Sequence, residues 1–304
     1  MSISSGNEKD ELARIQEATD YAVKRAEDGS VVGHFFNCLL SSVYQPVFNA
    51  KTRDVIGHAA YIRSALDGGN SLSPWKVLSL SEGDAPLVRF DRLCRVVHAL
   101  NYFPGGFQRG SLFVTVQPRL LESVKDDHGR AFKRILDVIG VETSRVVIEI
   151  PNEVNRNWKL LKHVISNYRS HGYRIAINHS RASEDWMAEL ASLYPLYPDM
   201  VRLDTSVLLR HNQTGSLVDT IHHLGAEVLV HEIETTKQLA AALRAGANFV
   251  QGRLFGVPAH TIEAEAFAPV APVAVAKQPA TRGRPRRFGT PGAILTRQDH
   301  NEYF

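Results

Sequence analysis

The sequence predicts an α/β chain folded as a (β/α)8 barrel, and three observations carry that expectation. From Phe35 onward, short apolar runs alternate with amphipathic segments, the pattern of strand and helix taking turns. The runs are apolar on both faces, which suits a parallel sheet covered by helices. Each run also closes on hydrogen-bonding or ionisable residues: Gln117, Glu149, Asn178-His179, Asp204, His231-Glu232 and Gln251. In such a barrel the strand C-terminal ends form the face that carries function. Strand ends are also polar simply because they meet water, but the charge inside Val146-Val147-Ile148-Glu149-Ile150 costs several kcal/mol to bury unless it is paired.

Taken in order, residues 9–27 are charged and helix-prone. Leu12, Ile15, Ala18 and Ala22 form a thin apolar stripe that Asp28-Gly29-Ser30 brings to a stop. This predicts an N-terminal helical segment over 1–30, which either caps the barrel or meets a partner. The barrel then occupies 31–268, with strands at 112–117, 145–150, 173–178, 200–204, 226–231 and 248–251. Helices fall between them, notably over 153–170 and over 235–245, the latter with Gly246 as its C-terminal stop. The stretch after 268 is rich in Pro and Ala, which predicts a disordered tail over 269–304.

Bulk composition fits this division. With 304 residues, 44% hydrophobic and 22% charged, the chain has ordinary globular composition, and one barrel of about 250 residues uses most of it. No apolar stretch reaches the roughly 18 residues of a membrane span, and the polar first residues lack a signal peptide's apolar core. The expectation is a cytoplasmic protein without membrane contact. Cys38 and Cys94, the two cysteines, sit in apolar runs and read as reduced core thiols. Residues 277–304 hold six cationic and two acidic side chains, a net of +4, leaving −1 for the rest of a chain whose total is +3. Attraction to polyanions therefore belongs to the tail.

Six blocks in order resemble the EAL-domain cyclic di-GMP phosphodiesterases: YQPVFNAKTRDVIGHAAYIR (44–63), VVIEI (146–150), YRIAIN (173–178), VRLD (201–204), HEIET (231–235) and QGRLFGVP (251–258). The resemblance implies an EAL-type, TIM-like barrel. It also implies a chemistry in which carboxylates and an asparagine hold two divalent cations, Mg2+ or Mn2+, that activate water against a phosphodiester.

This chain departs from that pattern at the ligands. Ala59 stands at the signature glutamate, Thr115 at the next strand's asparagine, Asn152 at an acidic position, and Asn178 and His179 at the paired aspartates, followed by Ser180-Arg181-Ala182-Ser183. Arg202 stands at the lysine that assists the water, and His231 at a late glutamate. The expectation is a pseudo-enzyme without catalytic residues and without a metal cofactor. Gln45, Arg63, Glu149, Asp204, Glu234 and Gln251 remain at family positions, so the same resemblance implies that they contact cyclic di-GMP if it binds, Arg63 as a fork to a phosphate oxygen. Equally, they can be inherited scaffold, with Arg63 paired to a carboxylate such as Glu149.

Three functions remain open. The first is a non-catalytic regulator that acts by binding a regulatory protein in cyclic di-GMP-linked control of motility or transcription. The second is a receptor that holds the dinucleotide uncleaved. The third is a phosphodiesterase with altered metal use, in which His179 and His231 join Glu149 or Asp204 around Zn2+ or Fe2+. In the tail, Arg282-Gly283-Arg284-Pro285 resembles the minor-groove strip of an AT-hook; a loosely polyanion-binding basic tail accounts for the same residues.

Overall fold

Eight strands close on themselves in the structure, a computed structural model whose described residues are 12–17, 19, 21–66, 71–72, 76, 83–104, 110–124, 127–151, 157–179, 196–210 and 214–262. The strands in chain order are β1 (Val23–Arg25), β2 (Val31–Phe35), β3 (Cys38–Asn49), β4 (Val55–Leu66), β5 (Ser71–Leu72), β6 (Ser111–Thr115), β7 (Val146–Ile150), β8 (Arg174–His179), β9 (Met200–Asp204), β10 (Glu227–His231) and β11 (Phe249–Gln251). The helices are α1 (Asp84–Tyr102), α2 (Pro118–Ser123), α3 (Arg130–Val138), α4 (Trp158–Ser170), α5 (Thr205–Arg210), α6 (Thr214–His223) and α7 (Thr236–Arg244).

The barrel order is β3-β11-β10-β9-β8-β7-β6-β4, closed by the β3–β4 pairing. Strands β4 and β6 to β11 run parallel, whereas β3 runs against both of its neighbours. The apolar runs read as a covered parallel sheet do pair in parallel, and β3 is the antiparallel exception. Residues 50–54 make a tight connection between β3 and β4, with Asn49 accepting from the Lys51 and Thr52 N–H groups at 2.9 Å each. A turn this short can join only antiparallel strands. Beyond the barrel, β1 and β2 extend the sheet on the β3 side and β5 on the β4 side.

Two apolar compartments follow from the alternation of strand side chains. The outer one lies between strands and helices, and includes Ile148, Ile150, Ile175, Ile177, Leu203 and Val230 with Leu161, Ile165 and Tyr168 of α4. The inner one takes one residue from each barrel strand: Val47, Ala59, Phe113, Val147, Ala176, Met200, Leu229 and Phe249. This layer plugs the barrel and makes a floor for whatever lies above it. Two residues below that layer β4 and β6 approach closely, because Gly57 carries no side chain: an ideal Cβ there would stand 2.1 Å from the Ser111 carbonyl oxygen.

Strand positions agree with the sequence expectation to within a residue or two, and the differences have local causes. Gln117 ends no strand but caps α2, since Pro118 at the first helical position ends the ladder. Thr235 is the N-cap of α7: its hydroxyl accepts from Gln238 N while Gln238 Oε1 accepts from Thr235 N at 2.8 Å. Gly246 follows that helix at φ 88°, as its C-terminal stop requires.

The helical segment expected over 1–30 is corrected from residue 23 onward, and residues 1–11, 18 and 20 lie outside the described residues. Residues 12–17 are helical, with Ile15 fully buried in the outer core, but Val23–Arg25 pair with β2 as an antiparallel strand. Asp28-Gly29-Ser30 is the hairpin turn, with Asp28 Oδ1 accepting from Ser30 N at 2.9 Å and Gly29 at φ 83°. Val23 and Val31 gain more from cross-strand pairing and burial than from extending a thin helical stripe.

Both cysteines are buried and not joined in a disulfide, and burial pushes the Cys94 thiol up from its ordinary value. No helix among the described residues is long and apolar enough to cross a membrane. The tail 269–304, with Arg282, Gly283, Arg284 and Pro285, lies outside the described residues. So do Asn152 and Ser180 to Ser183.

Candidate functional site

Because strand side chains alternate, the residue two positions above each member of the inner apolar layer faces the same way, toward the barrel axis at the mouth. Those residues are Gln45 (two before Val47, since β3 runs backwards), Tyr61, Thr115, Glu149, Asn178, Arg202, His231 and Gln251, one from every barrel strand. Seven of the eight end a predicted run or stand at a position singled out from the sequence. Tyr61 was missed, although its spacing of two from Ala59 carries the signal.

Arg202 is the hub. It is 5% exposed, and its Nη1 lies 2.7 Å from Glu149 Oε2, itself 3% exposed. The same Nη1 donates to Asn178 Oδ1 at 3.3 Å, and Nη2 donates to Gln251 Oε1 at 3.0 Å. Thr115 Oγ1 donates to Glu149 Oε2 at 2.6 Å. Gln251 Nε2 donates onward to Gln45 Oε1 at 3.0 Å and to Tyr61 OH at 3.1 Å, and Gln45 Nε2 donates to the Gly256 carbonyl at 2.9 Å. The glutamine amides thus tie β3, β4 and β11 to the Arg202–Glu149 pair. Among the described residues Glu149 Oε1, Arg202 Nε and His231 Nε2 are buried without a hydrogen-bond partner.

Charge shapes the rest of the mouth. Burial, and then the Arg202 guanidinium, push the His231 imidazole down to about 3, so it stays neutral. Burial raises the half-buried Tyr61 phenol. Above the ring stands Asp204, the register partner of His231. Burial acts to raise its carboxyl, but hydrogen bonds from Ser206, at 2.6 Å from the backbone N–H, and from Glu232 outweigh this and hold it low. Burial and the Asp204 charge push Glu232 up in turn. Glu232 was also missed as a site residue. It closes a run beside His231 in the sequence, and its φ of 61° turns it away from the regular strand alternation.

The remaining candidates separate. Arg63 is not paired to Glu149, whose partner is Arg202, and that sequence-level alternative is corrected. Arg63 is exposed on β4, on the same face as Ala59 and Tyr61 and two positions further out. Ala59 belongs to the apolar floor at 2% exposure. Glu234 lies on the rim, 3.2 Å from Arg253 Nη1, with both side chains more than half exposed.

His179 is 1% exposed and shares the outward face of β8 with Ile175 and Ile177, whereas Asn178 faces the axis. His179 and His231 therefore do not converge, which corrects the expected pairing around Zn2+ or Fe2+. Among the described residues no group of three or more His, Cys, Asp or Glu is arranged to hold a metal ion.

Comparison with known proteins follows the same outline. The sequence model of the EAL domain matches residues 34–258. The uncharacterized EAL-domain containing protein YkuI of Bacillus subtilis (strain 168) is 26% identical over 230 residues, covering 72% of this chain and 54% of that protein. This chain thus spans about half the length of that relative. The crystal structure of YkuI in complex with cyclic di-GMP and calcium superposes with a TM-score of 0.61 over 74% of this chain and 57% of that one, at 26% identity. A standalone EAL protein from Vibrio cholerae O395, in its cyclic di-GMP-bound form, gives a TM-score of 0.59 at 19% identity, over 72% of this chain and 92% of that one. Klebsiella pneumoniae BlrP1, a manganese and cyclic di-GMP complex, gives 0.60 at 19% identity, over 79% and 58% respectively. At 19% identity the last two speak for the fold alone.

Proposed function

The chain belongs to the EAL domain family, and from that premise we propose that it is a non-catalytic member, a regulator that acts by binding another protein in cyclic di-GMP-linked control. The observation that carries this reading is the composition of the mouth ring. It holds a single carboxylate, Glu149, already neutralised by Arg202 at 2.7 Å. Hard divalent cations need several anionic oxygens each. The other ring members are two amides on β3 and β11, a third amide, two hydroxyl groups, a neutral imidazole and a guanidinium. This donor set does not fit a pair of such ions.

Incubating the full chain with cyclic di-GMP and Mg2+ or Mn2+ is the direct test. The expected outcome is intact dinucleotide, with no linear product above the uncatalysed background. Turnover near the ordinary enzymatic range of about 1 s−1 or faster would overturn the catalytic half of the reading. The interaction half fails if immobilised protein captures no soluble partner while binding the dinucleotide tightly.

A second reading, a receptor that holds cyclic di-GMP uncleaved, is favoured by one specific feature. Arg63 is an exposed guanidinium on the face of β4 that continues the axis-facing row of Ala59 and Tyr61. That placement suits a fork to a phosphate oxygen above the ring. Under this reading Arg63→Ala weakens binding in calorimetry by about tenfold or more, the scale of one charge-assisted contact. An unchanged affinity would remove Arg63 from the ligand site.

A further inference from the structure

Few metal ligands and the presence of Arg202 are separate facts, and they have different consequences. A ring poor in carboxylates binds cations weakly. A ring whose one carboxylate is locked onto a guanidinium has no anionic ligand left to offer them. Arg202 brings together acceptors from three strands, Glu149 on β7, Asn178 on β8 and Gln251 on β11, through Nη1 and Nη2. Its planar fork is held in one orientation by these contacts, and a guanidinium does not give up its proton in a protein. The charge is therefore permanent and it is placed against Glu149, the carboxylate a cation would need first.

Resting on the reading of the mouth as catalytically silent, we infer that Arg202 is the resident cation of this barrel: it takes the electrostatic place of divalent metal ions and excludes them from the mouth. Returning a carboxylate to the ring is then not enough to restore metal binding. Asn178 is the informative position, because its Oδ1 already lies 3.3 Å from Arg202 Nη1. A carboxylate there is captured by the guanidinium as a second ion pair, and the ring remains closed to Mn2+.

The probe is Mn2+ alone, added to the full chain. Its binding is read from the loss of the free-ion paramagnetic resonance signal and from the melting temperature. Wild-type protein and Asn178→Asp are expected to leave Mn2+ free up to about 1 mM, the weak end of protein sites for hard cations. The double variant Asn178→Asp/Arg202→Gln carries the same carboxylates without the guanidinium, and binds Mn2+ about tenfold tighter than Asn178→Asp or better.

The inference is overturned if Asn178→Asp alone binds as tightly as the double variant, or if the double variant binds no tighter than wild type. Should the double variant fail to fold, Asn178→Asp still decides the matter. An Mn2+-dependent rise in its melting temperature overturns the inference, and a melting temperature that Mn2+ leaves unchanged supports it. Failure here is distinct from failure of the proposed function. An Asn178→Asp protein that binds Mn2+, beside a wild type that hydrolyses nothing, removes the role of Arg202 and leaves catalytic silence standing.

Discussion

Arg202→Gln is expected to destabilise the protein by about 3–5 kcal/mol, the cost of leaving one partner of a buried ion pair behind. Glu149 is 3% exposed and accepts from Arg202 and Thr115 on the same oxygen. Without the guanidinium its carboxylate is a buried charge with one hydroxyl for company. For a chain of this size the melting temperature falls by on the order of 10 °C. Converting Glu149 to Gln in the same background removes the stranded charge, and the double variant Arg202→Gln/Glu149→Gln should recover most of the loss, since neutral replacement of both members of a buried pair is often near-neutral. Denaturant unfolding of the four proteins of this cycle measures the coupling directly. A single variant that loses less than about 1 kcal/mol, the scale of an exposed pair, would show that the mouth is wetter than its burial indicates.

Stability should also fall steeply between neutral pH and pH 5, because several histidines are buried neutral. Burial pushes His98 down to about 3, with the Arg95 charge adding to it, and pushes His58 down to about 4. Burial, followed by the charges of His163 and Arg95, holds His128 at about 4. Each has a folded-state pKa below its unfolded value near 6.5. Its contribution is therefore whole above that value and is lost as pH falls toward the folded one. A histidine held near 4 forfeits about 2 kcal/mol by pH 5. Three such groups approach the whole stability of an ordinary domain, about 5–15 kcal/mol. Unfolding free energy measured from pH 8 to pH 5 should be level at first and then drop below about pH 6.5. A curve that stays level to pH 5 would show that these rings are hydrated.

Much of this molecule is legible in residue order. Val146–Ile150 is buried at every position, Glu149 included, as a strand in a covered sheet must be. Met200–Asp204 and the C-terminal stop at Gly246 fall where the apolar pattern and the glycine place them. Of the polar residues near the ends of the runs, Glu149, Asn178, His231 and Gln251 do lie at the mouth, since they sit at a spacing of two above the inner layer. Tyr61 obeys the same spacing and was missed because Ala59 and Ala60 blur the alternation around it. His179 was misread for the converse reason. Adjacent residues of a strand face opposite sides, so Asn178 and His179 cannot both point at the axis of a regular ladder.

Residue order dictates the strands, their facing rows and the absence of carboxylates at 59 and 178, because each depends on side-chain chemistry and a local period. Closure of the barrel dictates who pairs with whom. Gln45, Glu149, Arg202 and Gln251 are far apart in the chain, and nothing in their local patterns says that Glu149 takes Arg202 and leaves Arg63 exposed. That choice follows from the register of β7 through β11, which sets Glu149, Asn178 and Gln251 around one axis within reach of a single guanidinium, with Gln45 of the backward-running β3 joined through Gln251.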